Sequence, residues 1–500
     1  MLLAALAVAG AQALYEPTGS DLRVSHMETD ANRIGQDPEI VYNSVANEYL
    51  VVWEGDGLPM ADGVDNEFEI FGQRLSATGA ELGGDFRISN VDPEDDPARE
   101  ARTPAVAYNP ADNEYLVTWQ ADALATDNKF EIFGQLLNAT GGPIGADFQI
   151  SSTGLATDTT VSARDPDVAF NPIANQYLVV FGAGNYGGAA EIEIFGQDLD
   201  EDGGAVPSAT DFQISDGGDM DMGMNNRQAL HPSVASRSAF NEYLVTWDGD
   251  GLATNNEYEI FGQRVEASDG EQGVDFRISS VAVDGDTSRA PTDSSVVYGS
   301  GPNEYLVAWW ADDEAVDSEH EVYVQRVSAL GVELGADDAQ ISTTGPDGSA
   351  NTGAIMPAAA YSPTSNEYLV TWIRDPDSPV DESEVFGQQL SSAGAEIGTQ
   401  DMRISTVGPA GDLSRDAEDQ AVAFGSAPNE YLSVWEADGL ATLNDFEIFA
   451  HRLAVPVPVT PVTPATPATP TTKCKKKKKK RAVASKKKKK KGCKKKKKRK

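Results

Sequence analysis

One motif, Asn-Glu-Tyr-Leu-Val-x-Trp, recurs seven times with small changes, and it constrains the fold more than any other feature. Its tyrosines are spaced 62–66 residues apart. Each copy is followed by a Glu-Ile-Phe-Gly-Gln type segment, a turn and an Asp-Phe-Arg-Ile-Ser type segment. A fixed period of this length indicates units that bury their apolar faces against one another. The seven tyrosines are Tyr49, Tyr115, Tyr177, Tyr243, Tyr305, Tyr368 and Tyr431.

Each repeat predicts four short β-strands, because its apolar segments are rich in β-branched and aromatic residues and are separated by Asn, Asp, Gly and Pro. The seventh repeat ends after its third strand at Leu453, whereas a segment of the fourth-strand type stands alone at residues 21–25. An N-terminal strand that completes the last sheet would close a ring. The prediction is an all-β fold: a seven-bladed β-propeller over residues 14–453, closed by an N-terminal strand.

The segments outside the repeats predict an exported protein. Residues 1–13 are apolar and end in Ala-Gln-Ala, which is typical of a signal peptide, here truncated because no basic region precedes it. Residues 454–472 predict an extended Pro/Thr-rich spacer, and residues 473–500 predict a disordered polybasic tail. Cys474 and Cys493 are the only cysteines, which excludes a disulfide-stapled fold and a cysteine zinc site in the repeats. The predicted location is extracellular or at the cell envelope.

The positive and negative charges are concentrated in different regions, the C-terminal tail and the rest of the chain. The tail carries 21 of the 39 basic residues, which leaves 18 bases against 79 acids in the rest of the chain. Only one of those 18 bases is a lysine, Lys129. A body of this charge attracts cations, and both calcium binding and adaptation to salt are compatible with it.

Several polar residues recur in every repeat, and we expect them to hold the scaffold rather than a ligand, since each unit meets the same packing problem. The asparagine of the motif is expected in a hairpin turn. No copy of these repeated residues stands out as a separate enzymatic site. The repeated third-strand glutamates are Glu69, Glu131, Glu193, Glu259, Glu321, Glu384 and Glu447.

The connections between second and third strands, and between one unit and the next, are long and acidic, and alternation of the strands places all of them on one face. Carboxylates beside glycines suit Ca²⁺, which takes six to eight oxygen ligands. Ca²⁺ is therefore the expected cofactor, although no complete twelve-residue calcium loop is present. The candidate ligands are Asp56, Asp62, Asp65, Asp248, Asp250, Asp312 and Asp313.

The lysine blocks of the tail act as point charges and would hold a polyanion without reading its sequence. An exported chain makes an envelope polyanion or anionic lipid the preferred partner, ahead of nucleic acid. The alternative is that the tail docks on acidic propellers of neighbouring molecules. Candidate polyanion-binding residues are Lys473, Lys475, Lys486 and Lys494.

The repeat resembles those of bacterial secreted multi-repeat proteins over residues 21–453, and it is distantly similar to integrin-type Phe-Gly propellers, which bind calcium in blade loops. The resemblance supports the fold and implies no chemistry.

The leading hypothesis is a secreted, envelope-associated binding or scaffold propeller with an unknown glycan or protein ligand on the acidic loop face. Two alternatives stay open: a carbohydrate-active enzyme (hydrolase or lyase) that uses carboxylates of that face, and a self-assembling surface protein. A non-enzymatic role is favoured over an enzyme, since no catalytic histidine pair, nucleophile elbow or phosphate loop occurs.

Overall fold

The computed structural model describes residues 14–27, 34–56, 68–90, 100–122, 129–153, 161–184, 192–206, 211–215, 228–250, 257–267, 270–281, 285, 287–312, 319–344, 353–375, 383–407, 416–438 and 446–455. These ranges contain strands and turns but no helix, so the all-β prediction is confirmed. No helix that could cross a membrane is present in this part of the chain. The predicted signal peptide, the tail and nearly all of the spacer lie outside it.

Of the 29 strands, 21 belong to antiparallel sheets of four or five strands, and the other eight form one larger sheet that divides into two four-stranded parts. In chain order the strands are β1 (Glu16–Arg23), β2 (Gly35–Asn43), β3 (Glu48–Asp56), β4 (Phe68–Ser76), β5 (Phe86–Arg87), β6 (Ala101–Asn109), β7 (Glu114–Ala121), β8 (Glu131–Asn138), β9 (Pro143–Gln149), β10 (Ser162–Asn171), β11 (Gln176–Gly184), β12 (Ile192–Asp200), β13 (Phe212–Gln213), β14 (Ala229–Arg237), β15 (Glu242–Gly249), β16 (Glu259–Glu266), β17 (Gly270–Glu271), β18 (Phe276–Arg277), β19 (Thr292–Gly299), β20 (Glu304–Asp312), β21 (His320–Ser328), β22 (Glu333–Gln340), β23 (Gly353–Ser362), β24 (Glu367–Asp375), β25 (Glu384–Ser391), β26 (Glu396–Arg403), β27 (Ala417–Gly425), β28 (Glu430–Ala437) and β29 (Glu447–Ala454).

We number the sheets by repeat: sheet 1 is β2–β5, sheet 2 is β6–β9, sheet 3 is β10–β13, sheet 4 is β14–β18, sheet 5 is β19–β22, sheet 6 is β23–β26, and sheet 7 is β27–β29 with β1. Sheets 5 and 6 are joined by a single parallel bridge between His320 and Gly353. The first strand of each sheet contacts the first strand of the next, and β27 contacts β2. The arrangement is propeller-like, with the first strands innermost.

Strand β1 pairs antiparallel with β29, which is the pairing that the sequence predicts for the N-terminal segment. The strand spans Glu16–Arg23 rather than residues 21–25, and its register shifts between Thr18 and Leu22. The difference arises because the N-terminal strand continues along the edge of β29 before the repeat-like segment begins. The last sheet therefore contains strands from both ends of the described chain.

The core lies between the sheets rather than inside any one of them. Each cluster of buried apolar side chains joins two neighbouring sheets, and one cluster joins sheet 7 to sheet 1. The aromatic residue of each motif is fully or almost fully buried there: Trp53, Trp119, Phe181, Trp247, Trp309, Trp372 and Trp435. The motif asparagines adopt left-handed backbone in six of the seven hairpins, from Asn47 at φ 58° to Asn429 at φ 56°. Asn tolerates this conformation.

The repeated glutamates of the third strands hold the fourth strands in place. In sheet 1, Glu69 accepts hydrogen bonds from Ser89 Oγ and Arg87. Ser89 Oγ in turn accepts the backbone N–H of Ile70 at 2.7 Å. Every sheet repeats the serine–glutamate contact. These glutamates satisfy polar groups of their own sheets, as the scaffold hypothesis predicts.

Lys129, the only lysine outside the tail, belongs to the same system. Sheet 2 has Gln149 where sheet 1 has Arg87. Lys129 is 1% exposed, and its Nζ lies 2.9 Å from Glu131 Oε1 and donates to two backbone carbonyls. The buried ammonium therefore provides the positive charge that the arginine supplies in sheet 1.

Candidate functional site

The most unusual feature of the backbone is a set of left-handed residues near the start of the first strands. Each lies in a β-bulge, and in five of the seven repeats a proline follows it. Non-glycine residues with positive φ are uncommon, and their recurrence at one position indicates a constraint imposed by the surrounding structure. They are Asp37 (φ 48°), Thr103 (47°), Asp165 (54°), His231 (48°), Asp293 (51°), Met356 (52°) and Asp419 (26°).

These seven residues line one cavity of about 490 Å³, which we call the central cavity. They stand near the beginning of each first strand, where the connection from the preceding sheet arrives. Because the strands alternate in direction, this is also the end at which the second-to-third connections lie. The central cavity therefore faces the predicted acidic loop face. The connecting loops themselves, including Asp62, Asp65 and Asp313, lie outside the described residues.

The left-handed conformation turns backbone N–H groups towards the preceding sheet. The acceptor is the side chain of the residue that comes directly after the buried aromatic of the repeat motif, on the second strand of that sheet. Asp37 N–H donates to Glu436 at 2.9 Å, Thr103 N–H to Glu54 at 2.8 Å, and Asp165 N–H to Gln120 at 3.0 Å. The bulges thus link neighbouring sheets and fix the position of the side chains around the cavity.

A first group of carboxylates lies where sheet 7 meets sheet 1, and we call it the carboxylate triad. It consists of Asp37, Asp419 and Glu436, and one oxygen of each lies within 4.8 Å of one oxygen of the other two. Asp37 and Asp419 share a side-chain hydrogen bond. Burial and neighbouring negative charge raise the pKa of each aspartate to about 7 and the pKa of Glu436 to about 9. The triad therefore retains protons at neutral pH.

Two further carboxylates line the same cavity. Glu39 and Asp167 each follow a left-handed residue by two positions on their strands. Burial raises the pKa of Glu39 to about 8 and that of Asp167 to about 6, the latter against opposing hydrogen bonds from the backbone of Val234 and Val168. The cavity is consequently lined with weakly acidic groups that can exchange protons for a bound cation or hydrogen-bond donor.

A second group lies where sheet 4 meets sheet 5. His231 Nδ1 lies 2.9 Å from Asp248 Oδ1 and 3.1 Å from Asp293 Oδ1. The indole Nε1 of Trp310 donates to Asp293 Oδ2 at 2.8 Å. Burial lowers the pKa of His231, but the hydrogen bond and charge of Asp248, with the charge of Asp293, outweigh it and raise the pKa to about 10. His231 is therefore an imidazolium at neutral pH.

Of the predicted calcium ligands, the structure describes Asp56, Asp248, Asp250 and Asp312, which come from three different sheets. Asp248 alone among them belongs to a group whose potential ligand atoms converge, in the part of the chain that the structure describes. Asp56 and Asp250 are buried at the ends of second strands, and Asp312 lines a separate cavity. Calcium binding in the loops stays a prediction, as does polyanion binding by the tail lysines.

The ring of the central cavity was missed by the sequence analysis, as was its asymmetry. The repeated glutamates make the same serine contact in every sheet, whereas around the cavity His231, Thr103 and Met356 stand where the other four repeats have aspartate. The available signal in the sequence was the residue before the proline that begins the first strand in five of the seven repeats.

No protein-family model matches this chain, and no curated protein matches its sequence. Among solved structures it is similar to a protein of unknown function from Dyadobacter fermentans, at 8% identity and TM-score 0.47, covering 88% of this chain and 99% of that one. It is also similar to the GH93 α-L-arabinofuranosidase of Fusarium graminearum, at 14% identity, TM-score 0.45 and coverage of 71% and 93%. A PL25 ulvan lyase matches at 8% identity, TM-score 0.46 and coverage of 87% and 94%. At this distance the likenesses assign no activity to the chain.

Proposed function

We propose that the chain is a secreted seven-bladed β-propeller, held at the cell envelope, that binds its ligand over the acidic central cavity. The observation that carries the proposal is the ring of seven left-handed residues, which gathers four aspartates and a histidine around one opening. Side chains on rigid strands, under variable loops, form the usual setting of a binding site. The closed order of contacts between first strands supports the seven blades.

We further propose that Ca²⁺ is bound at the carboxylate triad rather than by the loops alone. The triad offers oxygen donors only, which suits a hard cation. Its raised pKa values reflect like charges held together in a buried place, and a divalent cation would displace the protons and relieve that repulsion. The second group, with an imidazole between two carboxylates, has a less suitable donor set for Ca²⁺.

Ca²⁺ is expected to raise the melting temperature at pH 8 by about 3 °C more than Mg²⁺ does at equal ionic strength, because a ligand that binds only the folded state stabilises it by mass action. Differential scanning calorimetry measures the effect. The variant Asp419→Asn should lose the calcium-specific rise, whereas Asp202→Asn, an exposed aspartate of another turn, should keep it. A rise with Ca²⁺ that is equal in both variants would contradict a site at the triad.

The polybasic tail is proposed to anchor the protein to an envelope polyanion. A chain that lacks residues 473–500 is expected in the culture medium, while the full chain stays with the envelope fraction and is released by high salt. Immunoblots of the two fractions measure the ratio. A control chain with a Gly/Ser segment of equal length in place of the tail separates charge from length. Unchanged envelope retention of the truncated chain would exclude the anchor.

The alternative, a carbohydrate-active enzyme, fits the geometry of the triad less well. Glycoside hydrolases place their two carboxyl groups about 5–5.5 Å or about 6.5–9.5 Å apart. One carboxylate oxygen of Asp37 and one of Asp419 lie within 4.8 Å of each other, which is closer than either spacing. Turnover of an oligosaccharide that is lost in Asp419→Asn would nevertheless favour the enzyme over the binding protein.

A further inference from the structure

A second cavity opens beside the central one, between sheets 4 and 5, and we call it the side cavity. It measures about 330 Å³, which is within the range of small-ligand pockets. Its walls include Trp310, Tyr258, His320 and Thr292, and it shares His231 with the central cavity. A ligand that lies over the central cavity could therefore extend into it.

The side cavity exists where the repeat departs from its own pattern. The position after the buried aromatic of the second strand is Glu54, Gln120, Gly182, Asp248, Trp310, Ile373 and Glu436 in the seven repeats. Trp310 is the only aromatic residue in the series. It is half-buried, unlike the fully buried tryptophan that precedes it. The packing problem shared by the repeats does not account for this indole, because the other six sheets are built without one.

The indole is held in place from two sides. Its Nε1 donates to Asp293 Oδ2 at 2.8 Å, and Asp293 is itself fixed by His231. On another side the imidazole of His320 meets the indole edge-on, with ring centroids 4.6 Å apart and an interplanar angle of 84°. An aromatic platform that is fixed before a ligand arrives loses little conformational entropy on binding.

We propose that the side cavity is a saccharide subsite, in which the apolar face of one sugar ring packs on Trp310 and its hydroxyls bond to the polar side chains around it. This proposal rests on the proposed function, since it assumes that the ligand of the central cavity lies on this face. It names a substrate class for that ligand: a neutral, hydroxyl-rich glycan.

The polar groups of the side cavity favour a neutral ligand. Tyr258, Thr292 and Ser288 present hydroxyls, which both donate and accept hydrogen bonds, as sugar hydroxyls do. The imidazole of His320 adds ring nitrogens that can form hydrogen bonds. The carboxylates of Asp248 and Asp312 at the cavity wall can accept hydrogen bonds from sugar hydroxyls, and they disfavour an anionic ligand.

A cationic ligand is less suited to the same walls. An aromatic cage for a quaternary ammonium uses the electron-rich faces of several rings. Here the rings of Trp310 and His320 meet at 84° with their centroids 4.6 Å apart, so this contact already covers part of one ring face.

The test is isothermal titration of the full chain with cellotetraose, xylotetraose, mannotetraose and maltotetraose, with tetramethylammonium as the cationic probe. At least one tetrasaccharide should bind. The variant Trp310→Ile should bind it about tenfold more weakly, because the stacking surface is lost. Isoleucine is the residue that sheet 6 carries at this position, so the variant is compatible with the fold.

Two further variants separate the roles of Trp310. Trp310→Phe keeps an aromatic face but loses the N–H to Asp293, and its affinity should stay within about threefold of the original chain. A purely structural role for the indole hydrogen bond would instead make Trp310→Phe as weak as Trp310→Ile. Phe240→Leu removes an exposed aromatic from the hairpin at the opposite end of sheet 4 and should leave binding unchanged.

The proposal is overturned if no tetrasaccharide binds with a Kd below about 10 mM, which corresponds to a binding free energy of about −3 kcal/mol. It is also overturned if Phe240→Leu weakens binding as much as Trp310→Ile does. Binding of tetramethylammonium without binding of any tetrasaccharide would contradict it as well. Failure here is distinguishable from failure of the proposed calcium site. The calcium-specific rise in melting temperature should persist in Trp310→Ile, because the carboxylate triad lies where sheet 7 meets sheet 1.

Discussion

A chain that starts at residue 28 should unfold roughly 5–10 °C below a chain that starts at Leu14. The shorter chain lacks β1 and with it the outer strand of sheet 7. Tyr15, Val24 and Met27 are each at most 4% exposed, and burial of each such side chain contributes about 1.5–3 kcal/mol. Calorimetry of the two chains at equal concentration measures the difference.

The loss is larger than the apolar contacts alone, because a buried carboxylate also loses its partners. Glu447, fully buried in β29, accepts hydrogen bonds from Arg23, Ser25 Oγ and the backbone N–H of Met27. An unpaired buried charge is strongly destabilising. The freed edge of β29 is in addition a template for pairing with other chains, so the shorter chain should associate, as sedimentation can show.

A pair of serine variants serves as the control for this truncation. Ser25→Ala breaks a contact between the two ends of the chain, and Ser89→Ala breaks the same contact within sheet 1. Both should cost about 1–3 kcal/mol, since each leaves a buried carboxylate oxygen and a backbone N–H without that partner. Equal melting temperatures for the chains starting at 14 and 28 would show that β1 contributes nothing to closure.

The pairing of the N-terminal strand with the last sheet was predictable because one repeat lacks a strand and one strand lacks a repeat. The seventh repeat lacks a fourth strand, and residues 21–25 have no repeat of their own. Since Ser25 corresponds to Ser89, even the bond to the third-strand glutamate could be expected from the alignment of units. The upstream extension to Glu16 could not, because residues 16–20 resemble no part of the repeat and pair through the backbone of β29.

The central cavity was beyond sequence reasoning for a different physical reason. Its residues come from segments more than 60 residues apart, and they share a backbone conformation rather than a side-chain type. Asp37, His231 and Met356 have no chemical property in common that a repeat comparison would retain. Their convergence follows from the bulges and from ring closure, both of which depend on tertiary contacts. Trp310 was overlooked because it stands beside the repeated Trp309 and reads as part of the motif.

The variant Glu436→Gln should be more stable than the original chain at pH 9 by an amount on the order of 5 kcal/mol, and the difference should fall below about 1 kcal/mol at pH 5. Burial, with the charges of Asp419 and Asp37, raises the pKa of Glu436 from 4.5 to about 9. Between pH 4.5 and pH 9 the folded chain therefore keeps the proton on Glu436, whereas the unfolded chain loses it. Stability is fully present below pH 4.5 and is lost as the pH rises towards 9.

Glutamine is the appropriate replacement because another sheet already uses it. Gln120 occupies the equivalent position in sheet 2 and accepts the backbone N–H of Asp165 at 3.0 Å, as Glu436 accepts that of Asp37 at 2.9 Å. The variant therefore keeps the link between sheets and removes only the charge. Melting curves from pH 5 to 9, recorded in EDTA so that no cation neutralises the triad, measure the effect.

The reverse substitution, Gln120→Glu, tests the same mechanism in a place where the original chain lacks the charge. It introduces a buried carboxylate beside Asp165 and should create a loss of stability with rising pH that the original residue does not cause. If Glu436→Gln and the original chain have parallel stability profiles across this pH range, the triad does not hold its protons in the folded state. The repulsion that makes the triad a candidate for Ca²⁺ would then be absent, and the calcium proposal would lose its physical basis.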